Sequence, residues 1–170
     1  IATCLNSRIE KSKNSAILGG GANLIYGEGN NLRNVILGGS STRINKGIDS
    51  SIVSSRASRI DCSNSSVITA GCCLRICQTI DSTITGGCYH KLCSSTQSSI
   101  LGGFTNSIYN SRTSIITGGF CNYITGSSAS SIIGGATNSI ENSLNSAIIG
   151  GFGLTLSSEN NVVYIPTLKL

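Results

Sequence analysis

Ser98-Ser99-Ile100-Leu101-Gly102-Gly103-Phe104-Thr105-Asn106-Ser107-Ile108-Tyr109-Asn110-Ser111-Arg112-Thr113 runs directly into Ser114-Ile115-Ile116-Thr117-Gly118-Gly119-Phe120-Cys121-Asn122-Tyr123-Ile124-Thr125-Gly126-Ser127-Ser128-Ala129. The second stretch repeats the first after 16 residues, with Ile, Gly-Gly, Phe, Asn and Ile in the same places. Numbered from the opening Ser, the third position along the chain is Ile1, Ile17, Ile36, Ile52, Ile68, Ile84, Ile100, Ile116, Ile132 and Ile148. The eleventh is Ile9, Ile25, Ile44, Ile60, Ile76, Leu92, Ile108, Ile124, Ile140 and Leu156. The register slips once, from Ile17 to Ile36, a step of 19 whose extra residues are expected to bulge near Gly27-Glu28-Gly29.

A short fixed period with two β-branched anchors per unit marks a β-solenoid. Ser-x-Ile-x-Gly-Gly alternates with period two, as a strand does, and Asn-x-Ile reads as a second short strand. Gly-Gly suits one corner because glycine enters positive φ freely. The Ser, Asn and Gly of positions thirteen to sixteen suit the other. Each unit is then one flattened coil, stacked roughly 4.8 Å above the last. The fold class expected is an all-β parallel β-roll of 16-residue rungs over residues 1–161, with residues 162–170 forming a strand or collar that leads out of the roll.

Composition agrees. The 170 residues include 30 Ser, 16 Asn and 24 Ile, and so much Ser, Asn and Gly argues against a helical bundle. Disorder would not hold the Ile register, and no apolar run is long enough to span a bilayer, so no membrane insertion is expected. The 12 basic and 7 acidic residues are unevenly placed. On the second strand the outward positions carry Arg8, Arg43, Arg59, Arg75, Lys91, Glu10, Asp61 and Glu141. On the first strand they carry no charge. Position four there reads Leu18, Leu37, Val53, Thr69, Thr85, Leu101, Thr117, Ile133 and Ile149. An apolar stripe along a whole solenoid is normally covered, and identical chains in symmetric array are the default cover. These nine residues are therefore the expected interface between identical chains, and three coils sharing a central axis, a homotrimer, would suit a fibre.

The pattern Ser-x-Ile-x-Gly-Gly-x-x-Asn-x-Ile-x-x-Ser resembles the head repeat of trimeric autotransporter adhesins, with related repeats in viral and phage fibres. The resemblance covers residues 1–161 and implies a left-handed parallel β-roll, three chains to a head. It also implies an extracellular place on a virion or bacterial cell surface. The repeat here is longer than usual in that family, and Ile replaces its commoner small residues. With Ile1 already in register and no starting Met, the chain is expected to be a fragment of a longer one.

Four of the eight cysteines pair across the period: Cys72 with Cys88, and Cys77 with Cys93. With His90 they could be read as a zinc site, but the two pairs occupy different positions of the rung and should not converge on one ion. Disulfides between adjacent rungs are geometrically possible. The favoured reading is cysteine as a small soft filler, with no metal and no cofactor. His90 shares its position with Asn106, Asn122 and Asn138 and reads as an alternative corner residue. No two carboxylates fall together as a general acid and base, so no enzyme is expected. Acyltransferases built on hexapeptide repeats also coil β-strands, but on a longer period and with a catalytic His in a distinctive loop; this chain matches neither.

Arg43, Arg59, Arg75 and Lys91 hold the tenth position of four successive rungs. This basic ladder is the candidate binding site, suited to anionic glycans on a host surface or another polyanion. Nucleic acid is not expected, because no aromatics interleave with it. The function expected is a structural and adhesive segment of a trimeric surface fibre used in host attachment. The alternatives are an ice-binding solenoid, for which Thr69, Thr83, Thr85 and Thr117 make only a broken ladder, and a carbohydrate-active enzyme.

Overall fold

The computed structural model describes residues 5–28 and 32–166. Within them the chain winds into a coil with two parallel ten-stranded sheets and no helix. The first sheet takes alternate strands from Ala16–Leu18 to Val163–Tyr164, the second those from Arg8–Glu10 to Thr155–Ser157. Each strand pairs with its counterpart one rung on, so Ile100 faces Ile116 and Ile108 faces Ile124. The extra residues between Ile17 and Ile36 leave this register intact, since Ala16 still faces Val35. Of the bulge expected there, Glu28 is exposed; Gly29 lies outside the described residues. At the other end Val163–Tyr164 adds a strand beside Ala147–Ile148.

Where the sequence suggests two corners, the coil has four. In the quoted rung Gly102, Thr105, Asn110 and Thr113 have φ of 71°, 57°, 46° and 49°. Two short sides separate the sheets, each bridged through one residue, Phe104 to Phe120 and Arg112 to Ser128. Apart from the rung with the three extra residues, each rung is thus two similar halves of eight residues. A left-handed conformation costs a side-chain-bearing residue about 1–2 kcal/mol. It is compensated at each corner by a bond back to the preceding rung. The N–H groups of Thr105, Asn110 and Thr113 donate to the carbonyls of Cys88, Cys93 and Thr96 at 2.9, 3.2 and 2.9 Å.

The interior is not wholly apolar. The Ile and Leu of positions three and eleven fill its middle, nearly all at 0% exposure. Beside them, Ser and Asn form ladders of their own. Some backbone N–H groups of every rung meet no carbonyl, and a buried N–H left unpaired costs about 1–3 kcal/mol. In many rungs a side chain of the preceding rung accepts from such a group. Ser98 accepts from the Ser114 N–H at 3.2 Å, Asn106 from that of Asn122 at 2.9 Å and Ser111 from that of Ser127 at 3.3 Å. Asn106 also donates to the carbonyls of Gly102, Gly118 and Gly119 at 3.2, 3.1 and 3.2 Å. The Ser of position fourteen, expected at a corner, turns inward.

Candidate functional site

The surface presents two unlike faces back to back, because the outward side chains of the two sheets differ. On the first sheet the position-four residues form one unbroken line: Leu18 beside Leu37, then Val53, Thr69, Thr85, Leu101, Thr117, Ile133 and Ile149. Leu18, Leu101 and Ile133 are 50%, 40% and 47% exposed. Across the Gly-Gly corner a shorter apolar run, from Cys72 to Phe152, accompanies its later rungs. Phe104 and Phe120 stack at 5.7 Å, and Tyr89 meets Phe104 edge-on at 5.4 Å. The repeat suggests that Phe104, Phe120 and Phe152 sit in a partly buried corner, yet all three are exposed. They stand on a short side of the coil with their side chains turned outward.

On the second sheet Arg43, Arg59, Arg75 and Lys91 stack in consecutive register, all exposed. Asp61 lies beneath them, almost buried, 2.5 Å from the Arg59 guanidinium and 3.9 Å from that of Arg75. Tyr109 and Tyr123 follow on the next rungs with rings 5.8 Å apart, and burial pushes the Tyr109 hydroxyl pKa up. Elsewhere Arg33 clasps Asp49 of the adjacent rung with two bonds of 2.7 Å. Those bonds hold the Asp49 carboxyl below its ordinary pKa. Lys46 and the Tyr26 hydroxyl do the same for Glu28.

The cysteines correct the filler reading. Cys72–Cys88 and Cys77–Cys93 are disulfides, with Cα atoms 4.8 and 4.6 Å apart. Parallel pairing brings equivalent positions within bonding reach, and both bridges join the same two rungs on different sides. None of the four remains a thiolate ligand, and among the described residues no three His, Cys, Asp or Glu side chains gather. Cys62, Cys73 and Cys121 are free, while Cys4 lies outside the described residues.

His90 is not a corner residue. It is fully buried in the Asn ladder, where Nδ1 accepts the Asn106 N–H at 3.0 Å. This places its proton on Nε2, which faces the Gly102 and Gly103 carbonyls without a well-formed bond. Burial holds its pKa below the ordinary histidine value.

No family model matches the sequence, and no curated protein does. Among solved structures the coil is similar to an Arabidopsis UDP-N-acetylglucosamine acyltransferase, with 12% identity over 92% of this chain and 70% of that one, at a TM-score of 0.35. It is also similar to NeuO, a polysialic-acid-specific acetyltransferase, with 8% identity over 92% of this chain and 84% of that one, at a TM-score of 0.32. The expectation that the chain is not an enzyme is withdrawn, since both of these neighbours are acyl-transferring enzymes. Missing one acid–base pattern never excluded catalysis, because function resides in sites and not in folds. At such TM-scores the likeness gives this chain no activity.

Proposed function

We propose that the chain is a rod segment of a surface fibre on a virion or bacterial cell, in which three copies associate through the position-four face. The arrangement is the left-handed, three-chain roll that the resemblance to adhesin heads implies. The observation that carries the reading is the contrast between the two faces. Leu18, Leu37, Leu101, Ile133 and Ile149 stand exposed in one line, while the charged residues of the strands stand on the opposite sheet. A solitary rod would leave this line in water, and contiguous apolar surface of that kind is ordinarily a contact surface. Association through it turns the charged sheet outward, where a host surface would meet it. Light scattering on the purified chain tests the reading. The expected mass is three times the chain mass, falling to one chain in Leu101→Glu/Ile133→Glu. A wild-type monomer at micromolar concentration would sink it.

A further inference from the structure

The second sheet carries a feature that fold stability does not explain. Like charges directly opposite each other on a sheet are destabilising, yet Arg43, Arg59, Arg75 and Lys91 follow one another in register. Asp61 offsets only the middle of the line, through Arg59 and the more distant Arg75. Arg43 and Lys91 have no carboxylate within ion-pair distance among the described residues. An exposed sheet kept soluble by charge would do better with alternating signs. The geometry points to a binding track for a linear anionic polysaccharide lying along the coil axis, with Arg43, Arg59, Arg75 and Lys91 holding its acidic groups.

Spacing supports that ligand. Cα atoms of equivalent residues on adjacent rungs are 4.6 Å apart at Cys77–Cys93, in the same sheet as the ladder. Four cations at such intervals make a straight strip on the order of 14 Å long. One sugar of an extended polysaccharide advances by about one rung, so a chain with an acidic group on successive sugars meets a cation at each step. The Cys77–Cys93 bridge fixes the two rungs that carry Arg75 and Lys91. Beyond Lys91, Tyr109 and Tyr123 lie on the same outward face with rings tilted by 49°, offering apolar faces to sugar rings. A single nucleic acid strand fits less well, since its bases need aromatic platforms between the charges and the tyrosines stand at one end. The track is on the sheet opposite the position-four line and does not depend on the number of chains.

The test is binding of fluorescein-labelled heparin fragments to the full chain across a salt series, with oligomer mass followed by light scattering on the same samples. The wild type is expected to bind at low salt. Arg43→Gln/Lys91→Gln spares the Asp61 ion pairs and is expected to bind about tenfold more weakly. Its log–log salt slope should be shallower by roughly 1.5, as for two lost contacts on a polyanion. Asp61→Asn, which frees Arg59, is expected to bind more tightly. Unchanged binding by Arg43→Gln/Lys91→Gln overturns the proposal, as does absence of wild-type binding at low salt. Tighter binding of a single-stranded oligothymidylate of equal charge would replace the polysaccharide with nucleic acid. Loss of binding at unchanged mass bears on the track alone, and dissociation of the wild type bears on the fibre reading alone.

Discussion

Gly102 and Gly103 stand side by side at one corner, and replacing each by Ala should have very different consequences. Both have positive φ, 71° and 85°. A Cβ on Gly102 would project into open space, its nearest neighbour the Thr85 carbonyl oxygen at 4.0 Å. Gly102→Ala should therefore incur only the left-handed penalty of about 1–2 kcal/mol, partly offset by the stiffer unfolded chain. A net loss near 1 kcal/mol is expected. A Cβ on Gly103 would overlap the Gly119 carbonyl oxygen, and would lie 2.6 Å from Asn106 Nδ2 and 2.9 Å from Gly118 C. The overlapped atoms belong to the next rung's backbone and cannot rotate away. Overpacking adds about 1–3 kcal/mol, and displacing the Asn106 amide weakens its three bonds to carbonyls, so about 3–5 kcal/mol is expected in all. The assay is guanidinium unfolding followed by far-ultraviolet circular dichroism, comparing the midpoints of the two variants with the wild type. Equal shifts would refute the reasoning, because φ alone would then govern both positions.

Other outcomes follow from the ladders. Ser55 takes the place of the second glycine, and its hydroxyl is buried with no partner; Ser55→Ala should unfold at the same or higher denaturant, and a loss above ~1 kcal/mol would contradict the burial argument. Asn122→Ala should lose about 3 kcal/mol by stranding the Asn138 N–H, and Asn122→Ser should recover part of it, since Ser58 accepts the Leu74 N–H at 3.2 Å in the equivalent site. Burial holds the folded His90 pKa below its unfolded value near 6.5; below that value the unfolded chain binds more protons, so stability is full above it and declines as pH falls through it. His90→Asn should remove that decline, as thermal melts at pH 7.5 and 5 would reveal. Each disulfide closes a loop of about sixteen residues and is expected to contribute about 3 kcal/mol alone; because both join one pair of rungs, Cys72→Ser/Cys77→Ser should lose less than the sum of the single variants.

The third and eleventh positions were readable as the inner wall because Ile and Leu recur there without exception, and the structure bears this out among the described residues, Ile1 lying outside them. The position-four line is likewise where alternation puts it. What periodicity could not convey is direction at the short sides. Ser111 follows Asn110, whose φ of 46° turns the chain, so the serine points inward although it reads as turn material. The same limit hid His90, whose equivalence to Asn106 was plain while the burial of that whole position was not. Sixteen-residue spacing identified both cysteine pairs as neighbours, but spacing says nothing of oxidation, and the filler reading failed there. For the ladder, sequence supplied the four cations; the nearly buried Asp61 under them needed coordinates.

Among the described residues strand pairing never reaches past the adjoining rung, and that separates the length of the molecule from its chemistry. Duplicating one unit inserts a rung whose Ile, Asn and inward Ser meet neighbours like themselves on either side, so the rod grows by one step with no compensating change elsewhere. The outward positions are bound by no such rule, as Arg75, Lys91, Ser107 and Tyr123 in one line attest. Copy number sets how far such a chain reaches, and point substitution sets what it displays. Lineages carrying this repeat can therefore alter reach and display by independent genetic events.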